Sequence, residues 1–145
     1  MSALVIQTVP YGSDEYQKTV ALRQKVLREP LGLKLTDDDI TKESNDYHVK
    51  AEMNGKLVAC LVITPIDDKR VQIRQMAVDP ELQRTGIGTT IMAWGEKFAH
   101  EKGFQKVTLH AREIVAGFYV KMGYKKTGVH FMTLNLPHCI MEKNL

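Results

Sequence analysis

The sequence predicts an α/β domain built on a mixed sheet with helices on both faces. Three observations carry this. The run Leu57-Val58-Ala59-Cys60-Leu61-Val62-Ile63 is apolar on both faces of a strand, which places it inside a sheet covered on two sides. Ile87, Ile91, Trp94 and Phe98 recur at helical spacing after an extended segment. Strand-like and helix-like stretches alternate in the order β, α, α, β-β-β, α, β, α, β-β.

Leu4 to Val9 reads as an apolar opening strand, broken by Pro10-Tyr11-Gly12. Ser13 can cap a helix whose first turn carries Asp14 and Glu15, as the positive end of a helix prefers, with Tyr16, Val20 and Leu27 on one face. Pro30 and Gly32 take the chain out of that helix. Thr36 and Asp39 stand in capping-box spacing for a second, short helix, and Asp37-Asp38-Asp39 reads as its charged start rather than a calcium loop. Asn54-Gly55 supplies the positive φ angles of a tight hairpin between strands Tyr47 to Met53 and Lys56 to Thr64. Pro65 to Lys69 turns into a strand over Arg70 to Val78. The long helix ends at Lys102-Gly103, with glycine suited to the residue beyond its cap. Val107, Leu109 and Ala111 alternate as a strand; Ile114, Phe118 and Met122 mark a shorter helix from about Glu113 that stops at Gly123, and Tyr124 to Lys143 reads as two or more strands.

A length of 145 residues predicts one domain spanning 1–145, without repeat or linker. Hydrophobic residues at 43% and charged residues at 26% lie near the globular average, which argues against a disordered chain. No run of eighteen apolar residues and no leader-like N-terminus occurs, so a soluble, cytoplasmic protein without membrane association is expected. The net charge of +3 suits a small anionic ligand and lacks the clustered basic stripe of a nucleic-acid binder. Cys60 and Cys139 have no metal-ligand spacing, so neither a disulfide framework nor a metal site is expected. The seven methionines, Met76, Met92 and Met122 among them, read as core filler.

The segment with chemical content is Gln83-Arg84-Thr85-Gly86-Ile87-Gly88, between a strand and the long helix. Two glycines two apart permit a tight turn that exposes successive N–H groups at the positive end of a helix, a cradle for a diphosphate. The Walker pattern fails because no Gly-Lys-Ser/Thr comes after it, and the dinucleotide fingerprint fails for want of a third glycine. With Gln75-Met76-Ala77-Val78-Asp79-Pro80 before the loop and Gly117-Phe118-Tyr119-x-x-Met122-Gly123-Tyr124 after the next strand, the chain resembles the GNAT superfamily of N-acetyltransferases. The resemblance runs over roughly Tyr47 to Tyr124. Leu109-His110-Ala111 and Leu136-Pro137-His138-Cys139-Ile140-Met141 are similar to its ElaA-like branch, whereas the first thirty-odd residues match that branch poorly.

The resemblance implies a mostly antiparallel sheet with a central splayed strand pair, acetyl-CoA as co-substrate, and transfer of the acetyl group to a primary amine of a small molecule or peptide. Main-chain N–H groups of Arg84, Thr85, Gly86, Ile87, Gly88 and Thr89, with Gln83 at the entrance, would hold the diphosphate. Met76, Ala77 and Val78 would pair with the pantetheine arm, and an N–H near Ala77 or Val78 would hold the oxyanion. Tyr119 would protonate the leaving thiolate. Arg112 stands where many members carry Asn or Gln, and would reach a phosphate or substrate oxygen. The glutamate that many members place on the splayed strand is missing; Gln72, Arg74 and Gln75 occupy that strand instead. Glu29, His110 and His138 are therefore the candidate base and acceptor-binding residues. A homodimer is compatible with such an enzyme. The alternative is a non-catalytic CoA-binding module on the same fold.

Overall fold

The computed structural model describes residues 4–145, apart from the side chains of residues 37 and 38, so two of the three acidic side chains expected at the start of the second helix lie outside the described residues. The strands are β1 (Leu4–Val9), β2 (Tyr47–Met53), β3 (Lys56–Pro65), β4 (Arg70–Val78), β5 (Lys106–Arg112), β6 (Lys125–Thr133) and β7 (Leu136–Asn144). The α-helices are α1 (Asp14–Arg23), α2 (Asp37–Thr41), α3 (Ile87–Glu101) and α4 (Ala116–Lys121). One sheet runs β1-β2-β3-β4-β5-β7-β6. Every neighbouring pair is antiparallel except β4 and β5.

Local chemistry sets these boundaries. Ser13 Oγ accepts from the Tyr16 N–H and caps α1. Asn54 at φ 55° and Gly55 at φ 76° both take positive angles, and the β2–β3 hairpin closes on them. Thr36 and Asp39 cap reciprocally: Asp39 N–H donates to Thr36 Oγ1 at 3.1 Å, and Thr36 N–H to Asp39 Oδ2 at 3.0 Å. Gly103 at φ 95° comes after α3, as expected for the position past its cap.

The main core lies between the sheet and α3, where Leu61, Ile63, Val71, Ile73, Ile91, Met92, Val107 and Leu109 are buried together. Gly95 lets α3 approach closely, since a Cβ there would stand 3.5 Å from Ile73 Cδ1 and 3.6 Å from Leu61 Cδ2. On the opposite face α1 packs Leu22 against Cys60 and Ala77, with Val26 and Leu27 beside them. Cys60 and Cys139 are both free and buried.

Two expectations change. The first helix does not keep one regular face through Leu27: its last residues, Gln24–Arg28, form a π-helical turn before a 3₁₀ turn over Glu29–Leu31. The wider turn carries one residue more than α geometry allows and re-aims the residues after it. The shorter helix begins with a 3₁₀ turn, Glu113–Val115, which leaves Ile114 81% exposed instead of facing the core with Phe118 and Met122.

α1 is also tied to the segment before β2 by a buried polar cluster. The Arg23 guanidinium pairs with the Glu43 carboxylate, Nη2 to Oε2 at 3.0 Å, and the Tyr16 hydroxyl donates to Glu43 Oε1 at 2.6 Å. His48 Nε2–H donates to the Glu43 carbonyl at 2.9 Å. Burial pushes the Glu43 carboxyl up, but the hydrogen bonds from Arg23 and Tyr16 outweigh it and hold the group below the usual carboxylate range. This cluster fixes where α1 and its π turn lie over the sheet.

Candidate active site

β4 and β5 are paired through Arg70–Lys106, Val71–Val107 and Gln72–Thr108 and then separate, so the sheet is open between Ile73–Val78 and Leu109–Arg112. A bulge in β4 accompanies the opening. Cys60 lies opposite Ala77 and Val62 opposite Arg74, which sets Gln75 and Met76 against the single residue Leu61. Gln75 adopts φ 56°, the left-handed conformation that re-aims the strand.

The main-chain direction in the gap is set by the strand period. Asp79 N–H donates to Val58 O at 2.8 Å, so it points at β3, as does Ala77 two residues back. The amides of Met76 and Val78 consequently point into the opening. The Val78 carbonyl there accepts from the Gln83 side chain, Nε2 to O at 3.2 Å. Of the three residues expected beside a pantetheine arm, Met76 and Val78 turn their backbone to the gap, while Ala77 joins the apolar packing under α1.

The loop from β4 to α3 ends at the mouth of this gap. Gly86, at φ 89°, stands before the first turn of α3 without any side-chain cap, and Arg84 also has positive φ, 68°. Among the described residues, no intramolecular hydrogen bond engages the N–H groups of residues 83–89. Thr85 and Thr90 turn their hydroxyls onto Leu82 O and Gly86 O, so the loop is braced through its carbonyls and leaves its amides free. Ile87 is buried and anchors the turn, while Arg84, Thr85 and Thr89 are exposed. Free N–H groups at the start of a fifteen-residue helix form an anion cradle.

Tyr119 lies on α4, partly buried against the main core. Its ring packs edge-on against Phe118 and Tyr124, with centroids 5.0 and 5.9 Å away, and Phe118 reaches Gly88 at the start of α3. Its hydroxyl has no hydrogen-bond partner among the described residues, in contrast to Tyr124, whose hydroxyl donates to Glu96 Oε2 at 2.7 Å. Burial pushes the Tyr119 phenol up to about 12, so it keeps its proton across physiological pH.

On the α1 side of the gap the structure gathers a different set. His110 and Arg112 alternate with core-facing Leu109 and Ala111, so both look away from α3; Arg112 pairs in register with His138 on β7. The Phe131 ring bridges the histidines, edge-on to His110 at 5.3 Å and tilted over His138 at 5.4 Å. His138 Nδ1–H donates to Leu136 O at 2.9 Å. Burial, with the nearby charges of Arg74 and His138, lowers the His110 pKa and favours the neutral ring. Arg112 is exposed. Glu29 is exposed on the 3₁₀ turn after the π turn and makes no ion pair among the described residues.

Sequence reasoning missed Arg28, and it read Arg74 and Gln75 merely as the absence of a glutamate. Strand alternation turns Arg74 toward α1 and Ile73 toward α3, and the bulge adds Gln75 to the α1 face while Met76 faces α3. Arg28 Nη2 then meets Gln75 Oε1 at 3.5 Å. The available signal was three polar residues, Gln72, Arg74 and Gln75, in a strand otherwise buried on both sides.

A sheet opened beside an amide-rich helix start defines a ligand-binding α/β fold, and comparison with known proteins identifies the family. Residues 14–124 match the acetyltransferase (GNAT) family, and the chain belongs to it. Human N-acetyltransferase 8 is 32% identical over 124 residues, covering 76% of this chain and 55% of that protein. The chain spans about half the length of the curated relatives it matches, from 40% to 55%. Among solved structures, a Lactobacillus plantarum protein superposes at TM-score 0.88 with 21% identity over 99% of each chain. Escherichia coli ElaA gives 0.80 with 21% identity over 99% of each chain. A GNAT family acetyltransferase from Elizabethkingia anophelis, solved with acetyl-CoA bound, gives 0.76 with 17% identity over 98% of each chain. These likenesses are of fold. Among the described residues no helix is long and apolar enough to cross a membrane, and no group of His, Cys, Asp or Glu is placed to hold a metal ion.

Proposed function

We propose that the protein is an acetyl-CoA-dependent N-acetyltransferase that acts by direct attack of a primary amine, in the cytoplasm. The observation that carries this reading is the pairing of two sets of main-chain groups, the gap-facing backbone of Met76 and Val78, which no strand of the sheet pairs, and the free amides of residues 83–89. An extended arm pairs with the first as an added strand would, and a diphosphate with the second. Gln83 releases the Val78 carbonyl as the arm enters, and Arg84 and Arg112 are free at the two rims to meet phosphate.

The amine nitrogen attacks the thioester carbonyl carbon from the α1 side. The Val78 N–H holds the developing oxyanion, and the C–S bond then breaks. Tyr119 donates to the departing thiolate from the α4 side of the gap. Of the bases expected from the sequence, His110 is assigned the proton lost by nitrogen: it stands on the separated part of β5 with its ring neutral, while Glu29 and His138 line the acceptor side. A ring of lowered pKa suffices, because the nitrogen of the tetrahedral adduct is far more acidic than the free ammonium.

The test is calorimetry with acetyl-CoA, then thiol release over a panel of amino acids, peptides, polyamines and aminoglycosides. Binding heat together with turnover on at least one amine is expected, with both reduced in Gly86→Asp. Heat without turnover on any acceptor would instead identify the non-catalytic module.

A further inference from the structure

We infer that Arg28 and Arg74 form an anion clamp that selects acceptors carrying a carboxylate or phosphate beside the amine. This deepens the acetyl-transfer reading and rests on it.

The π turn supplies the first half of the clamp. One extra residue in the last turn of the first helix rotates the residues beyond it by about 100° relative to a continued α-helix. Leu27 thereby packs on the Cys60–Ala77 cluster, and Arg28 extends beyond it to the bulge of β4, where its guanidinium meets Gln75. Arg74 reaches the same face by ordinary strand alternation with core-facing Ile73, close enough to Arg28 and to His110 for its charge to act on both. The bulge adds Gln75 to that face, so the π turn and the bulge bring Arg28 and Gln75 together beside Arg74.

Among the described residues no acid lies in ion-pair contact with Arg28 or Arg74, although Arg23 is paired with Glu43 and Arg70 with Asp67. Asp39 acts on Arg28 without an ion-pair contact, and its carboxylate accepts the Thr36 N–H at 3.0 Å. Arg28 is left with its own neighbour's carbonyl, Leu27 O at 3.4 Å, and a long contact to a neutral amide. Both arginines are half-buried, so each has given up water without gaining an ion pair among the described residues. Arg74 is also the charge that acts most on His110, so the two arginines and the histidine face one space. Guanidinium forks suit carboxylate and phosphate oxygens alike.

The experiment compares matched probes with the full chain. N-Acetylphenylalanine against N-acetylphenylalaninamide, and N-acetylglycine against its amide, are titrated calorimetrically with CoA present, which requires no turnover. Phenylalanine against phenethylamine, and O-phosphoethanolamine against ethanolamine, are compared as acceptors by KM at saturating acetyl-CoA; the two pairs separate carboxylate from phosphate recognition. The clamp predicts at least tenfold tighter binding of one anionic probe over its neutral partner. Arg28→Gln or Arg74→Gln should erase that ratio while the heat of acetyl-CoA binding stays unchanged, and Arg74→Glu should invert it toward the cationic amine. Equal affinities within every pair, or ratios that survive both Gln variants, would overturn the clamp. Loss of acetyl-CoA heat and of all turnover, with the anionic product preference intact, would instead fault the acetyl-transfer reading.

Discussion

Removing one oxygen from Tyr119 separates a chemical role from a structural one. The hydroxyl has no hydrogen-bond partner among the described residues, and the ring's contacts to Phe118 and Tyr124 survive in phenylalanine. Tyr119→Phe should therefore change folding stability by less than about 0.5 kcal/mol, since no bond is lost and a desolvated hydroxyl is removed. Its effect on turnover depends on the proton's energetics. A phenol held at about 12 faces a thiol whose ordinary value is roughly 8.5, so completed transfer is uphill by about 5 kcal/mol unless the thiolate is desolvated too. Most of the benefit then comes from a hydrogen bond to a charged acceptor, worth about 1.5–3 kcal/mol. That converts to a loss of roughly 10- to 150-fold in kcat, near the lower end of general-acid effects. Initial rates at saturating acetyl-CoA, beside a thermal melt, measure both quantities. A kcat within about threefold of wild type would refute the assignment of Tyr119 as proton donor, and a pronounced drop in melting temperature would show the hydroxyl to be structural.

Three further outcomes are expected. Glu43→Ala strands the buried Arg23 guanidinium and should cost about 3–5 kcal/mol, read as a fall in denaturation midpoint, whereas Arg23→Met combined with Glu43→Leu should cost less than either single change. Gly86→Ala places a Cβ at φ 89° in open space, so no clash arises, and the left-handed penalty of about 1–2 kcal/mol should appear as a lowered denaturation midpoint. Stability should fall on acidification. His48, held low chiefly by burial, contributes fully above its unfolded value of 6.5 and loses that contribution as pH falls through its folded pKa; Glu43, also held low, does so below its unfolded value of 4.5. Denaturant midpoints measured from pH 8 down to 3 would contradict this if they were flat.

The strands and helices were largely legible because their signals are local. Asn54-Gly55 specifies a hairpin by itself, and Arg70–Val78 is bounded by Asp67-Asp68-Lys69 on one side and Asp79-Pro80 on the other. The turn before α3 was legible for the same reason, since Gly86 takes its positive φ whatever surrounds it. What could not be read were features set by tertiary contacts. Gln75 carries no sequence signal for a left-handed bulge, because glutamine has neither glycine's freedom nor asparagine's short side chain. The π turn at Gln24–Arg28 lies in a stretch of ordinary helix formers, and is held by Gln24, whose side chain accepts from Leu35 N–H at 2.7 Å and donates to Leu33 O at 2.9 Å. Ile114 was misplaced because a 3₁₀ turn looks helical in sequence but presents its side chains at a different period.

On the acetyl-transfer reading, the two sides of the β4–β5 gap also divide the proton chemistry. The α4 side is apolar around Tyr119 and keeps a phenol neutral, so the donor retains its proton until a thiolate forms. The α1 side is cationic, and the influences that favour a neutral His110 there, burial and the Arg74 charge, act on any ammonium brought beside it. A positively lined pocket disfavours a second cation, so an acceptor held through an anionic group sheds its proton more readily than in water. The arginines that exclude simple cationic amines would thus raise the fraction of competent nucleophile for the acceptors they admit. A glutamate on β4 would draw the ammonium in and then remove its proton; with Arg74 and Gln75 in that strand, the same end is reached by repelling the proton and anchoring the acceptor elsewhere.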